Sequence, residues 1–472
     1  MQTRKPPTCT SILIRFYPYV QIQTRSTHSD CQRTNLFGES LTSAPPQSTI
    51  DEVNKNIDEE HSADVIVIGG GPAGAATAFW LAMRGVSVIV VEKKQFPRDK
   101  TCGDGLTPRA VVELEAMGLQ SMLDTQQKYH GLRAVAYGRS YELPWPNLPD
   151  YPNYGYVVRR SVLDQAVLDR AASVGATVLY HHEAIEATLA GGHIQSLRVK
   201  DIETDEASTL TAKAYVLAEG SNARIARSLG ARRNVAKPLG LAIRGYFETD
   251  RSDEHWIESH LDLRDENGAT IPGYGWIFPA GDGTANVGFG LLSNSARWRK
   301  MNTTHALERF LQQTQDAWHF PADRSAREAT GGKLQMGLSI EPRSGPNFLM
   351  VGDATASINP FNGEGISYGY ETGRMAANAI TQSLGTGDPR PIAGFTTALQ
   401  TRYAGYYAVG TLFVKAISNP LLMSSGVWLA MRSKATMTPV VAIMANLMPG
   451  SAPDRIEQIY RLTQRLRERE AG

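Results

Sequence analysis

The stretch Ala63–Gly74, ADVIVIGGGPAG, decides the fold. Its first half, up to Ile68, is a run of mostly β-branched residues, the pattern of a buried parallel strand. Gly69, Gly71 and Gly74 then give G-x-G-x-x-G. Ala75–Arg84 reads as a helix stopped by Gly85, and Val86–Val91 as a second strand ending at Glu92. Each part has a physical task. Gly69 allows the tight turn, Gly71 lets backbone approach a pyrophosphate, and Gly74 lets helix and strand pack closely. The helix N-terminus offers N–H groups and the positive end of its dipole to phosphate. Glu92 stands where an acid accepts hydrogen bonds from ribose hydroxyls. A lone glycine motif is a weak signal. Framed by strand, helix, strand and acid, it specifies a dinucleotide-binding unit.

Two later stretches select FAD. Leu217–Arg224, LAEGSNAR, follows the apolar run Tyr215–Ala218 and carries Glu219-Gly220. Phe348–Ala354, FLMVGDA, is a strand ending in Gly352-Asp353. The chain continues through Pro360 to Gly363-Glu364-Gly365-Ile366 and a helical pattern over Ser367–Thr381. An aspartate at such a strand end can bind the ribityl hydroxyls. A helix starting near Gly363 can aim its N-terminus at the N1–C2=O edge of a flavin, where it stabilises the anion of the reduced ring. Gly288-Phe289-Gly290 lacks a third glycine, so no separate NAD(P) unit is expected.

Further along, TCGDGLTPRA (Thr101–Ala110) sets Cys102 among Gly103, Asp104 and Gly105. A packing cysteine does better in an apolar run; here thiol and backbone can both approach a ligand. Thr107 and Pro108 suit the N-cap and first position of a helix over Pro108–Met117, and Asp104 and Arg109 have helix capping as their simpler reading. Tyr274, Trp276 and Phe278 recur with period two, which puts them on one face of a strand.

Of 472 residues, 48 are basic and 47 acidic, with no basic block, so no nucleic-acid partner is expected. The three cysteines, Cys9, Cys31 and Cys102, provide no disulfide framework, zinc site or iron–sulfur ligand set. His181-His182 lacks a third ligand and reads as strand-end polar residues, so no metal is expected. Residues 1–60 are rich in Ser, Thr, Pro and Gln, and no acid precedes Asp30. They resemble a transit peptide; a disordered leader and a start codon placed too early are the other readings.

Together these motifs resemble the geranylgeranyl reductase family of hydroxylase-like flavoproteins over about residues 63–450. The carriers are GGGPAG with Glu92, FPRDKTCGDGLTPRA (Phe96–Ala110), GDA with PxxGEG (Gly352–Gly365), and the aromatic motif Tyr274-x-Trp276-x-Phe278-Pro279. His260–Arg264, HLDLR, followed by PGYGWIFP looks closest to the bacterial menaquinone-reducing members, which saturate a double bond in an isoprenoid tail. The resemblance implies FAD as cofactor. It implies Gly69, Gly71 and Gly74 at the pyrophosphate, Glu92 at the ribose, Arg160 near the pyrophosphate or ribityl chain, and Asp353 at the ribityl chain. Gly363 and Gly365 would pass the ring, with Cys102 to Gly105 on its opposite side. Pro72, Ala73, Lys93, Arg109, Glu219, Gly220, Gly352, Pro360 and Ile366 complete the expected cofactor set. Glu219 replaces the family's usual Asp, which keeps the acceptor and lengthens the arm. Tyr274, Trp276 and Phe278 would line an apolar substrate tunnel, with plain core as the alternative for Trp276.

The expected fold is α/β: a Rossmann-like FAD-binding domain (61–135, 159–235 and 341–390) interleaved with a substrate-binding sheet (136–158 and 236–340). A C-terminal helical region, 391–472, follows. The expected reaction is reduction of an isoprenoid C=C bond in a polyprenyl lipid or quinone, with electrons from a separate donor. Cys102 is the candidate catalytic proton donor, with water its equal rival and a packing role in a flavin loop the simpler reading. The competing reading is an FAD-dependent monooxygenase on the same fold. In the tail, sixteen uncharged residues separate Lys415 from Arg432, and Pro439 and Pro449 break the next uncharged stretch. Neither is a span of about 20 apolar residues. Peripheral attachment to the inner face of a bilayer and a helical cap on a cytoplasmic protein both remain open. Ile456–Leu466 reads as a charged amphipathic helix.

Overall fold

The structure, a computed structural model, describes residues 61–292, 301–322 and 328–448. The leader 1–60 and the segment Ile456–Leu466 lie outside the described residues.

The opening strand, His61–Ile68, runs parallel to Val88–Val91 on one side and to Ala207–Leu217 on the other. Thr177–Leu179 extends the parallel set beyond Val88–Val91, and Phe348–Met350 pairs with the C-terminal half of Ala207–Leu217. The N-terminal half of that long strand instead pairs antiparallel with the hairpin His182–Ala190 and His193–Asp201. The period-two geometry of strands sorts the side chains into two cores. Val65, Val67, Val88, Val90 and Val216 face one cluster with Phe79, Leu168 and Tyr370 from three helices. Ile66, Ile68, Ile89, Val91 and Leu217 face another with Ile225, Leu197 and Met350. Both faces are covered, which is why these strands read as continuous apolar runs. Full burial of each such side chain contributes about 1.5–3 kcal/mol.

The fingerprint helix is Pro72–Ala82, three residues earlier at its start than the apolar pattern of Ala75–Arg84 suggested, because proline is accepted at a first helical position. It packs against Ile366–Thr386, which begins just after the Gly363–Gly365 turn.

A second sheet has seven strands. Leu239–Glu248, Thr284–Leu292 and Gly273–Pro279 form its antiparallel centre, with Thr330–Gln335 at one edge. Trp256–His260 follows, and it pairs parallel with Gly131–Ala136, whose neighbour Arg139–Pro144 closes the other edge. This sheet therefore draws in residues from Gly131, five before the boundary at 136. Helix Thr303–Trp318 covers it through Leu307, Phe310 and Leu311. The tail forms Phe395–Ile417, Pro420–Ala430 and Lys434–Met444. Among the described residues no single helix is long and apolar enough to cross a membrane. The one pair that passes together, Arg390–Ile417 and Pro420–Ala430, is bent by 108°.

Candidate active site

Two helix N-termini and two acids define a cradle at the C-terminal ends of the parallel strands. Gly71 is the N-cap of Pro72–Ala82 and has no side-chain cap. A Cβ built on Gly71 would meet only the Arg98 guanidinium, at 3.6 Å. That free space over uncapped N–H groups is what a pyrophosphate requires. Gly74 does the opposite: a Cβ there would lie 1.9 Å from the Gly69 carbonyl oxygen. Buried Glu92 accepts from Gly70 N at 2.8 Å and Lys94 N at 2.9 Å, so its carboxylate is fixed beside the glycine turn. Asp353 follows Phe348–Met350, with Lys100 Nζ 3.9 Å away. Gly365 caps the second helix without a side-chain contact, and a Cβ on it would stand 3.3 Å from Asp353 Oδ1. Gly352, at φ +59, approaches Ala73, where a Cβ would come within 2.7 Å of the Ala73 methyl. These residues fit a dinucleotide with a ring system at its second end. Lys93 points to solvent, Ile366 is buried, and Pro360 packs under Gly410 of a tail helix.

The Cys102 loop meets the second sheet at this cradle. Tyr274, Trp276 and Phe278 project from one face of Gly273–Pro279 with ring centroids 6.0 and 6.3 Å apart. A Cβ on Gly105 would sit 2.9 Å from the Phe278 ring, and one on Gly103 at 3.2 Å, so the loop needs both glycines to pass the aromatic face. Tyr274 donates to the Asn362 carbonyl at 2.5 Å, tying that face to the turn before Gly363. Cys102 O accepts from Asn286 Nδ2 at 2.8 Å and Arg244 Nε at 3.2 Å. Asn286 Oδ1 accepts from Trp276 Nε1 at 2.9 Å. Burial pushes the Cys102 thiol up, with Asp104 adding to it and Arg160 opposing, so the group is a thiol at neutral pH.

Several expected site residues have different partners. Asp104 is not a helix cap. It is fully buried at φ +63 and accepts from Tyr246 Oη and, at 2.9 Å, from Asn286 Nδ2. Its Oδ1 has no partner among the described residues. Nor does Arg109 cap the helix: it is buried against Glu371, with Tyr151 Oη at 3.1 Å and the Asn446 carbonyl at 3.2 Å. Thr107 occupies the N-cap of Pro108–Ala116, but its hydroxyl donates to Glu364 Oε1 at 2.6 Å. Glu219 directs both carboxylate oxygens at the N-terminus of Arg224–Ser228, to Ile225 N at 2.8 Å and Ala226 N at 2.9 Å. Its longer arm reaches this helix end, so the carboxylate is committed there while Gly220, at φ +72, makes the turn. Arg160 is buried and forms two bonds to Asp164 at 2.6 and 2.7 Å, and its charge opposes the upward push on the Cys102 thiol.

Glu364 was overlooked in the sequence. It lies between two glycines already singled out, yet its side chain carries a buried Oε2 without a partner among the described residues, and burial pushes its carboxyl up against the hydrogen bond from Thr107. An acid between two glycines at the start of a helix was the available signal.

Asp104 has a consequence for stability. Burial raises it to about 6 from 3.8, with Tyr246, Asn286, Arg244 and Arg160 pulling the other way. The folded protein then binds this proton more tightly than the unfolded chain. Stability from neutral Asp104 is complete below the unfolded value and is lost as pH rises through the folded one. Two units correspond to about 3 kcal/mol. In urea melts, the wild type will lose about that much relative to Asp104→Asn between about pH 4 and 7. Parallel profiles would show that Asp104 ionises normally.

The open parallel sheet, the uncapped glycine turn and the two acids define an FAD-dependent oxidoreductase. The chain belongs to the FAD binding domain family, which matches residues 62–392. It is 38% identical over 399 residues to the menaquinone reductase of Mycolicibacterium smegmatis, covering 84% of this chain and 95% of that protein. To the digeranylgeranylglycerophospholipid reductase 2 of Methanopyrus kandleri it is 28% identical, over 72% of this chain and 82% of that one. Among solved structures, a geranylgeranyl bacteriochlorophyll reductase-like protein from Thermoplasma acidophilum superimposes with a TM-score of 0.67 at 20% identity. That match covers 85% of this chain and 96% of the other. A flavin-dependent brominase gives 0.61 at 18%, covering 87% of this chain and all of its own. At such identities the last two share the fold alone.

Proposed function

We propose that this protein is an FAD-dependent reductase that saturates an isoprenoid C=C bond in the tail of a polyprenyl lipid, with the menaquinone tail as its substrate. The observation that carries this reading is the continuous likeness to menaquinone reductases over 84% of the chain. In it, the turn Gly69–Gly74 and the helix behind it hold the pyrophosphate. Glu92 holds the ribose, Asp353 the ribityl chain, and the N-terminus of Ile366–Thr386 the ring. Bound FAD supplies the hydride once it is reduced.

The protein's own part is to hold the tail and deliver a proton. An isoprenoid tail offers no hydrogen-bond handles, and each methylene buried against Tyr274, Trp276 and Phe278 contributes about 0.8 kcal/mol. An isolated alkene is a poor hydride acceptor, so protonation has to accompany the transfer. The Cys102 thiol stands on the loop that crosses the aromatic face and keeps its proton at neutral pH. As the S–H bond breaks and the new C–H bond forms, Arg160 stabilises the thiolate left behind, which water then reprotonates.

The test is anaerobic. Dithionite stands in for the electron donor, menaquinone is added in detergent, and the product is read by mass spectrometry. A gain of two hydrogens in the tail is expected. Unchanged lipid, followed by oxygen insertion once air is admitted, would instead identify a monooxygenase. In the same assay Cys102→Ala should retain its flavin and turn over about 10²-fold more slowly. Full turnover would transfer the proton-donor role to water.

A further inference from the structure

The tail presents a surface that the reaction does not use. Pro420–Ala430 is an eleven-residue helix without a charged side chain. A surface helix in water turns apolar residues inward and charged ones outward. Here Met423 faces the body, yet Leu421, Leu422, Trp428 and Leu429 are 79%, 58%, 54% and 57% exposed. With Leu412 of the preceding helix, they account for five of the ten exposed large hydrophobic side chains among the described residues. Asn419 accepts from Leu421 N and Leu422 N, which fixes these two at the corner where the chain bends.

Charge points to what covers this face. Residues 389–453 contain no Asp or Glu, although the whole chain is balanced. Lys415, Arg432 and Lys434 flank the helix, each exposed, and the Arg432 guanidinium lies 5.1 Å from the Trp428 ring. A second copy of this chain would bring the same cations against themselves. An anionic lipid surface offers acyl chains to the leucines, the interfacial zone to tryptophan, and phosphates to the cations.

The helix is also anchored to the substrate sheet. Ser424 Oγ lies 2.8 Å from Thr270 Oγ1, and Ser424 O accepts from Tyr137 Oη at 3.1 Å. Met431 O accepts from Arg139 Nη1 at 2.9 Å. Thr270 precedes Tyr274 by four residues, so the exposed ledge stands at the end of the strand that carries the aromatic face.

We infer that Pro420–Ala430 lies in the plane of an anionic bilayer, with Leu421, Leu422, Trp428 and Leu429 inserted and Lys415, Arg432 and Lys434 at the phosphates. The test is flotation of the full FAD-loaded chain with vesicles of phosphatidylglycerol and phosphatidylcholine containing no quinone, so its outcome is independent of the reaction. The wild type should float. Leu421→Ser/Leu422→Ser should weaken partitioning about a hundredfold. Lys415→Gln/Arg432→Gln/Lys434→Gln should do about the same on anionic vesicles and leave the weak binding to pure phosphatidylcholine unchanged. Both variants should keep the wild-type flavin spectrum and reduce detergent-dispersed substrate normally. Equal flotation of wild type and variants overturns the proposal, as does failure of the wild type to float. If the wild type instead sediments as a dimer that Leu421→Ser/Leu422→Ser dissociates, the face joins two copies of this chain.

Discussion

A methyl group on Gly74 will strip the protein of its flavin. The added carbon would stand 1.9 Å from the Gly69 carbonyl oxygen and 3.0 Å from the Ala218 methyl. Neither can yield. Gly69 is held at φ +103 in the turn, and Ala218 N donates to Ile68 O at the end of the central strand. Overpacking of one or two methylenes costs about 1–3 kcal/mol in a core that can adjust. Here the overlap is with backbone, so strand and helix must separate and the uncapped N–H groups leave the phosphate position. We expect Gly74→Ala to purify with under about a tenth of the wild-type flavin, since 1.4 kcal/mol is already a factor of ten in affinity. It should also melt at lower temperature. Gly71→Ala separates the two effects. Its methyl would touch only Arg98, at 3.6 Å, so folding should be unperturbed while the approach to the backbone is blocked. Absorbance near the flavin band and a thermal melt read both variants. If Gly71→Ala binds FAD as tightly as the wild type, the pyrophosphate does not lie over Gly71.

The features readable in the sequence are those whose cause is local. The strand–turn–helix at His61–Ala82 follows from β-branched spacing, glycine conformation and a proline at the first helical position, all within about twenty residues. The aromatic face follows from period two alone, because a strand of any surroundings puts Tyr274, Trp276 and Phe278 on one side. What escaped depends on partners far away in the chain. Asp104 meets Tyr246 and Asn286 from two neighbouring strands of the second sheet, so its burial could not be known before the pairing Tyr246↔Asn286 existed. Thr107 had a local role available as an N-cap, and a buried Glu364 outcompeted it. Glu219 is the local exception: the motif position points it at the cofactor, yet a side chain one methylene longer than Asp reaches the N–H groups of Ile225 and Ala226, six and seven residues on.

Arg109 shows the same principle on a scale that affects the whole fold, and replacing it will be the most destabilising single change to a side-chain contact near the site. It lies on helix Pro108–Ala116 and is 4% exposed. Its guanidinium reaches Glu371 on Ile366–Thr386 and the Asn446 carbonyl beyond the last described helix. Tyr403, from the long tail helix, donates to Glu371 Oε2 at 2.7 Å. One cation therefore joins the Cys102 segment, the helix after the glycine turn and the C-terminal region. Burial works against the charge, and Glu371 together with Tyr368, Tyr151 and Tyr403 more than offsets it, so the guanidinium stays charged. Arg109→Leu would leave Glu371 buried with Tyr403 alone, and removing one partner of a buried pair costs about 3–5 kcal/mol. Glu371→Leu should cost a similar amount by stranding the arginine. Arg109→Leu/Glu371→Leu should recover most of the loss, because an apolar pair of similar volume needs no counter-charge. Urea denaturation of the four proteins gives the coupling. Additive losses would mean that the ion pair is not what holds these three segments together, and that the aromatic packing of Tyr368, Tyr403 and Tyr407 around it, with ring centroids all 5.6 Å apart, suffices.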